Sequence, residues 1–434
     1  MNGQLITVMF IASFGLAACD QAPDKGEVAE GSGVAEEAST EIHQGYSETA
    51  SLYEVDGVVV SNDNPEAYLW NPRGKTDEQI AARSQFLADA YDVKRTEAQL
   101  KRAAQARDKY ADAIVINSLL PAAVGIIGNT AGDLQRGLER NQDAGMTLVS
   151  ATVYAFPGDG DAANAIGRID ASTPVVDEMG LVLAKSVSDI RRAKAEGKMA
   201  VMFNVQGSDF VVEDMGLLAA AKKKGLNVAN FVYNNNNELA GGGTSQEYGV
   251  TDLGKEFIAA ANANKIVVDC SHSSNQTCID AASYSTKPNV ASHSNVAALF
   301  DVGRNMSDEA IEAVGSTGGA VCNTGVGLFL NAKGNASPEE YVEHVVYTAK
   351  LIGKDKTCYS TDYMPAAGKM FAANVANVDV YPPEKGFGAP ASNMAAEHIW
   401  DVVALLEDNY GWNEQEIRGF LGENLMRVYA ANWE

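Results

Sequence analysis

Two of the five histidines in the chain end short apolar runs. His272 closes the stretch "IVVDCSH" at 266–272, and His293 closes "NVASH" at 289–293. Such runs predict buried β-strands, and histidine is the commonest metal ligand. If the two strands are neighbours in a parallel sheet, both rings reach the same edge, at separations suited to one shared metal ion. The simpler alternative, that each histidine only caps a helix or binds a loop, stays open.

The elements that would position these histidines form a repeating pattern. Eight short β-type runs occur in order, at 113–116, 147–150, 200–203, 228–233, 266–268, 290–291, 319–321 and 357–359. Amphipathic helical patterns separate most of them, for example at 215–224, 253–264, 307–314 and 339–351. This alternation predicts an α/β fold, a (β/α)8 TIM-like barrel with the helices outside. Its active-site mouth is built by the C-terminal strand ends, where both histidines would lie.

Length and composition bound the class of protein. The chain has 434 residues, of which 46% are hydrophobic and 21% charged, so it can bury a large core. The 33 Lys and Arg residues against 57 Asp and Glu give a formal net charge of -24. This charge repels phosphate backbones and anionic lipid headgroups, which argues against nucleic acid as a partner.

The first residues resemble a bacterial lipoprotein signal. An apolar run from Leu5 to Ala18 leads into "LAAC" at 16–19, small residues before a cysteine. We expect cleavage before Cys19, lipidation of its thiol, and a cell-envelope protein that faces the periplasm or the cell surface and meets the membrane only through its lipid. An ordinary signal peptide with an incidental cysteine is the alternative.

Two further segments precede the barrel. Residues 20–45 are acidic, rich in small residues and without aromatic residues, which predicts a disordered tether. From about Thr76 to Tyr110 the apolar positions recur at helical spacing. We therefore predict a signal peptide over 1–18, the lipidated Cys and tether over 19–45, a helical extension over 46–110 and the barrel over 111–434.

Several segments from about Tyr110 to Trp433 resemble the membrane dipeptidase family, peptidase family M19. The segments are "GVTDLGKEFIAAANANKIVVDCSHSS" at 249–274, "NVASHSNVAAL" at 289–299, "GRNMSDEAI" at 303–311, "CYSTDY" at 358–363 and "GENLMRVYAANW" at 422–433. The resemblance implies a zinc metallohydrolase with a two-metal centre on a (β/α)8 barrel. It further implies that His272 and His293 bind the second zinc, that Arg304 contacts substrate, and that Asp362 is the catalytic carboxylate near the bridging solvent.

The chain departs from the family pattern at four positions. Asn117 and Leu119 stand where the family has the His and Asp of the first zinc site, Gln206 replaces the Glu that bridges both metals, and Tyr233 replaces a substrate-contacting His. Leucine cannot bind a metal, and an amide lacks the charge with which a carboxylate holds two cations together. We therefore expect one divalent metal, zinc in this family, on His272 and His293 with Gln206 as a weak third ligand.

These observations favour a metallohydrolase that acts on dipeptides or similar small amides, with Arg304 and Tyr233 binding the substrate. The alternative is a catalytically inactive homologue that binds a peptide or a cell-wall fragment. A third hypothesis is an assembly lipoprotein that uses the helical extension as an interaction surface, and a homodimer also stays open.

Other residues carry plainer expectations. His43, His344 and His398 lie in the tether or in helical patterns and are expected to be exposed. The run Asn234 to Asn237 is expected to form a polar turn with left-handed backbone. Cys270, Cys278, Cys322 and Cys358 could form disulfides or remain buried thiols, because no CxxC pair indicates which.

Overall fold

Eight parallel strands, hydrogen-bonded to one another in chain order, form the centre of the fold. They are β1 (Ile116–Leu120), β2 (Leu148–Tyr154), β3 (Ala200–Val205), β4 (Leu226–Asn230), β5 (Val267–Asp269), β6 (Val290–Ala291), β7 (Ala320–Thr324) and β8 (Thr357–Ser360). Side-chain hydrogen bonds join β8 back to β1: Ser118 Oγ donates to the Tyr359 carbonyl over 3.0 Å, and the Thr361 N–H donates to Asn117 Oδ1 over 3.1 Å. The sheet is thus a nearly closed (β/α)8 barrel, as predicted.

The computed structural model describes residues 54–55, 58–59, 70–89, 91–154, 162–245, 248–331, 334–385, 387–388 and 392–434. The predicted signal peptide, Cys19, the tether and His43 lie outside these residues. None of the helices within the described ranges is both long and apolar enough to cross a bilayer.

The helices surround the barrel and also form the extension before it. They span Asp77–Asp89, Glu97–Lys109, Ala131–Asp143, Ala162–Glu178, Val187–Ala195, Leu217–Lys223, Asp252–Ala263, Asn275–Tyr284, Asp308–Ser316, Gly327–Leu330, Pro338–Ile352, Ala367–Ala376, Ile399–Tyr410, Glu414–Arg418 and Asn424–Trp433. Many begin directly after a Ser or Thr whose side-chain oxygen accepts a backbone N–H of the first turn, as at Thr96, Ser274 and Ser337.

The predicted elements differ from the observed ones mainly at their ends. The first strand begins at Ile116, where the predicted run ends. Residues 113–115 are buried, and the Val115 carbonyl already accepts the N–H groups of Thr147 and Leu148. A two-residue strand, Val182–Leu183, pairs with β3 and was not predicted. In the extension, the two helices fit the helical spacing, whereas Glu54–Val55 and Val58–Val59 form a short antiparallel pair.

The barrel interior contains a disulfide. Cys322 on β7 and Cys358 on β8 are neighbours in register and are bonded to each other, whereas Cys270 and Cys278 are free and buried. The bridge lies in an apolar cluster with residues of the other strands and of the last helix, among them Ile116, Met202, Val267 and Tyr429. The two alternatives for the cysteines are therefore both realised, one in each pair.

Candidate active site

His272 and His293 follow the C-terminal ends of β5 and β6 and meet at the barrel mouth. Their Nε2 atoms are 2.8 Å apart, and the side chains are 4% and 0% exposed. Burial, together with the positive charge of Arg304 nearby, holds the pKa of both imidazoles well below the usual value. Both rings are therefore neutral near pH 7, which is the form that binds a metal.

Asp269, the last residue of β5, fixes the two histidine loops relative to each other. Its Oδ1 accepts the N–H groups of Ser271, over 2.9 Å, and Ser292, over 3.0 Å, each next to a histidine. The Ser271 hydroxyl in turn accepts the N–H of His293 over 3.0 Å. Sequence analysis missed this role, although a carboxylate at the end of an apolar run was a visible signal.

Asn234 determines which nitrogen of His272 carries the proton. The Asn234 Nδ2 group donates to the Val380 carbonyl over 3.0 Å, so its Oδ1 faces His272 Nδ1 at 2.7 Å and accepts the proton there. Nε2 of neutral His272 then presents a lone pair to the mouth. Asn234 and His272 both have left-handed backbone, with φ of 59° and 68°. Gly242 packs against this turn so closely that a Cβ would lie 2.1 Å from the Asn234 carbonyl oxygen.

Gln206 reaches the same point from the end of β3. A row of hydrogen bonds orients its amide: Gln206 Nε2 donates to Thr152 Oγ1 over 3.0 Å, Thr152 donates to Asn204 Oδ1 over 2.9 Å, and Asn204 Nδ2 donates to Ser150 Oγ over 2.8 Å. In this direction of hydrogen bonding, Gln206 Oε1 faces His272 Nε2 at 2.8 Å.

The convergence of these atoms fits one cation. His272 Nε2 and Gln206 Oε1 are both acceptors, and His293 Nε2 lies beside them. Acceptors in contact repel one another unless a proton or a metal lies between them, and burial disfavours the imidazolium form. Two imidazole nitrogens and one carbonyl oxygen form a ligand set that a divalent transition metal accepts.

The positions of the family's first zinc site do not fit a metal. The Asn117 Nδ2 group donates to Asn141 Oδ1 over 2.9 Å and to Thr361 Oγ1 over 3.0 Å, and Leu119 is a fully buried apolar side chain. Within the described residues, no group of three or more His, Cys, Asp or Glu side chains is arranged to hold a metal ion. Asn117 instead supports the loop that carries Asp362.

Arg304 and Asp362 face the same cleft. Arg304 is 4% exposed; its Nη2 donates to the His293 carbonyl over a long 3.4 Å, its guanidinium lies 5.2 Å from the centre of the Phe329 ring, and its buried Nε has no partner among the described residues. Burial raises the pKa of Asp362 to about 7, against the opposing charge of Arg304. A buried cation with one N–H group unpartnered among the described residues, and a carboxyl group that titrates near neutrality, are suited to binding an anion and moving a proton.

The cleft around these groups encloses about 730 Å³, its open mouth included. Its polar lining includes Gln206, His272, Arg304 and Asp362, and its walls are largely apolar or aromatic, with Ile127, Leu328, Phe329, Met364, Met370 and Phe387. Tyr233 stacks on the His272 ring with centroids 4.2 Å apart, and its hydroxyl lies 3.0 Å from that of Tyr381. The cleft thus gathers Gln206, Tyr233, His272, Arg304 and Asp362, and His293 contacts His272.

Two other expectations about histidines were wrong. His344 and His398 are 2% and 1% exposed, not solvated. His344 Nδ1 accepts the N–H of Val296 over 3.1 Å, and His398 Nδ1 accepts the N–H of Ala395 over 3.0 Å. Both rings therefore satisfy buried backbone groups, which periodicity in the sequence does not indicate. The turn at Asn234 has the expected left-handed backbone, but Asn234 is also a partner of His272.

Comparison with known families gives a match over residues 133–383 to the family described as membrane dipeptidase (peptidase family M19). A protein of Klebsiella pneumoniae, described as an uncharacterized protein in the pqqA 5' region, is 28% identical over 194 residues, which cover 42% of this chain and 72% of that protein.

Solved structures share the fold over about three quarters of the chain. An amidohydrolase from Pseudomonas aeruginosa superposes with a TM-score of 0.66 and 26% identity, covering 76% of this chain and 99% of its own. The probable dipeptidase PvdM from the same organism gives 0.61 and 19%, covering 77% and 98%. A metallopeptidase from Rhodobacter sphaeroides bound to a phosphinate mimic of L-Ala-D-Ala gives 0.59 and 18%, covering 74% and 100%.

Proposed function

Because this chain belongs to the membrane dipeptidase family, peptidase family M19, we propose that it hydrolyses dipeptides or similar small amides with a single divalent metal ion. The observation that supports a single metal is that His293 Nε2 and Gln206 Oε1 both contact His272 Nε2. At the position of the family's first zinc site, the Asn117 side chain is instead engaged in a hydrogen bond to Asn141. The family's metal is zinc, and zinc accepts two imidazoles and an oxygen with one position open.

The residues of the mouth have separate tasks in this proposal. A metal bound there would supply an acidified water and polarise a carbonyl. Asp362, with its pKa near 7, takes the proton from the attacking water and returns it to the leaving amine. Arg304 binds the substrate carboxylate through its guanidinium, whose buried Nε has no partner among the described residues. Tyr233 supports the His272 ring and forms part of the wall that excludes bulk water.

The test is the metal content of the full chain, purified without chelator, and of two histidine variants. We expect about one metal ion per chain, lost in His272→Ala and retained in His344→Ala, which removes a buried histidine that does not line the cleft. Hydrolysis of a dipeptide panel should follow the metal. A full chain that carries no metal and binds none on addition of zinc, cobalt or manganese would contradict the proposal.

An inactive homologue is the second candidate, favoured by the new bonds of Asn117. The Asn117 side chain donates hydrogen bonds to both Asn141 and Thr361. The asparagine that replaces the family's metal ligand therefore has a structural role, because it supports the loop that carries Asp362. Such a protein would use Arg304 and the apolar cleft to bind a peptide or a cell-wall fragment. Ligand binding that persists in chelator, without turnover, would support this candidate.

We also propose that the protein acts in the cell envelope, anchored through Cys19. The disulfide between Cys322 and Cys358 supports this location, because such bonds persist in oxidising compartments. The Cys19→Ala variant should move from the membrane fraction to the soluble fraction of cells. Retention of the variant in the membrane fraction would contradict lipid anchoring.

A further inference from the structure

A short segment of the N-terminal extension reaches the active-site mouth. Tyr91 is 3% exposed and lines the cleft. Its hydroxyl accepts the N–H of Met364 over 2.9 Å and the side-chain amide of Asn393 over 3.1 Å, and its carbonyl accepts the N–H of Asn393 over 2.8 Å. The extension is therefore bonded to the loop after β8, two residues from Asp362.

Asp92 makes the second connection. Its carboxylate accepts a hydrogen bond from the Tyr363 hydroxyl and two from Arg140 Nη1, over 3.1 and 3.2 Å. The Arg140 guanidinium lies over the Tyr363 ring, 4.5 Å from its centre, and also pairs with Glu397. Tyr363, the residue next to Asp362, is thus held between the extension and the helix Ala131–Asp143.

The loop held by these contacts has an unusual backbone. Asp362 has φ of 51°, a left-handed conformation that residues other than glycine adopt at some cost. Its carbonyl accepts the Asn393 side-chain amide over 2.9 Å, and the preceding Thr361 is held by Asn117. Tyr91, Asp92 and Asn393 therefore bind one side of the turn, and Asn117 binds the other.

We infer that Tyr91 and Asp92 are positioning residues that hold the strained turn at 361–364 and so aim the Asp362 carboxylate into the cleft. The inference rests on the proposed function for one point, the catalytic role of Asp362. The family match begins at residue 133, so these contacts come from a part of the chain outside the matched domain. The extension is then a component of the active site, and the hypothesis of a separate interaction surface is not needed to explain it.

The test is Tyr91→Phe in the full chain, which removes the hydroxyl and keeps the ring that packs 5.1 Å from Tyr363 and 6.0 Å from Phe371. Hydrogen exchange of the peptide that contains Met364 should become about fivefold faster or more, because the amide loses its acceptor. The control is Tyr110→Phe, in the same extension, whose hydroxyl bonds to Glu407 away from the mouth. It should leave that peptide unchanged.

Turnover provides the second readout. With any dipeptide that the wild-type protein hydrolyses, Tyr91→Phe should lower kcat by roughly tenfold to a hundredfold, with KM little changed because Arg304 is untouched. Asp92→Asn should give the same pattern. The control is Asp408→Asn, whose carboxylate pairs with Arg102 on the exposed surface. Unchanged exchange at Met364 would overturn the inference whatever the kcat. If the wild-type protein hydrolyses nothing, the hydrolase proposal fails, while the exchange result still decides the positioning role.

Discussion

Asn234 Oδ1 lies 2.7 Å from His272 Nδ1 and fixes the proton of that ring on the nitrogen that faces away from the mouth. Groups of this kind around a metal ligand typically change metal affinity by about 10- to 100-fold. We predict that Asn234→Gly, which tolerates the left-handed backbone at this position, weakens metal binding by about that factor. Isothermal titration with zinc measures it. Asn235→Gly, the neighbouring change in the same run, should bind zinc as the wild type does.

Gln206→Glu should strengthen the metal site. The substitution keeps the length of the side chain and places a negative charge where Gln206 Oε1 meets His272 Nε2. We expect zinc affinity to rise by about tenfold or more, since carboxylates bind divalent ions better than amides do. The matched control, Gln142→Glu, adds the same charge on the exposed surface. An unchanged affinity in Gln206→Glu would mean that the metal, if one binds, does not contact residue 206.

Asp362 should make the stability of the metal-free protein depend on pH. Its pKa rises from the ordinary ~3.9 to about 7 on folding, because burial disfavours the charged form. Between about pH 4 and 7 the unfolded chain has released this proton while the folded chain retains it, so the contribution of Asp362 to stability falls as pH rises. Asp362→Asn removes this pH-dependent loss of stability, because asparagine does not ionise.

Urea unfolding in chelator at about pH 4.5, 6 and 7.5 measures the effect. The free energy of unfolding of Asp362→Asn, relative to the wild type, should increase from the lowest pH to the highest. The exposed Asp143→Asn variant is the control for the loss of a carboxylate. A difference that is constant across the range would show that Asp362 is ionised in the folded protein throughout.

The disulfide should contribute strongly to stability. Cys322 and Cys358 are 36 positions apart in the sequence, and a cross-link over that separation destabilises the unfolded chain by about 4 kcal/mol through lost conformational entropy. In guanidinium, the free energy of unfolding should therefore be lower by about that amount with a reductant than without it. A Cys270→Ala variant should show the same reductant dependence, because Cys270 is a free buried thiol. Equal stability with and without reductant would contradict the prediction.

The order of the barrel and the placing of both histidines were predictable from the sequence. Alternation of apolar runs with amphipathic helices specifies parallel strands, and the end of a strand specifies which edge a residue such as His293 reaches. Gln206 and Asp362 were assigned to the mouth by the resemblance to the membrane dipeptidase family, and both line the cleft. The order of the strands and the positions of the histidines depend on local periodicity, which a single sequence records directly.

Other parts of the site depend on contacts that periodicity does not record. Asn234 is a partner of His272 only because a turn after β4 folds over the loop after β5. Tyr91 is distant from Met364 along the chain, and neither residue lies in a motif. The burial of His344 and His398 has the same origin, since helix spacing does not show which backbone groups a helix must satisfy. Tertiary pairing decides each of these cases.

The row from Ser150 through Asn204 and Thr152 to Gln206 is made of groups that can each exchange the roles of donor and acceptor. If every member reversed, Gln206 would donate its NH2 group to His272 Nε2, and this contact would be satisfied without any ion. The same heavy-atom positions therefore allow two directions of hydrogen bonding. In one direction Gln206 Oε1 faces the site and attracts a cation, and in the other the NH2 group faces it and does not. Metal binding would orient these four side chains together. The apparent affinity for the metal therefore includes the free energy of reorienting them.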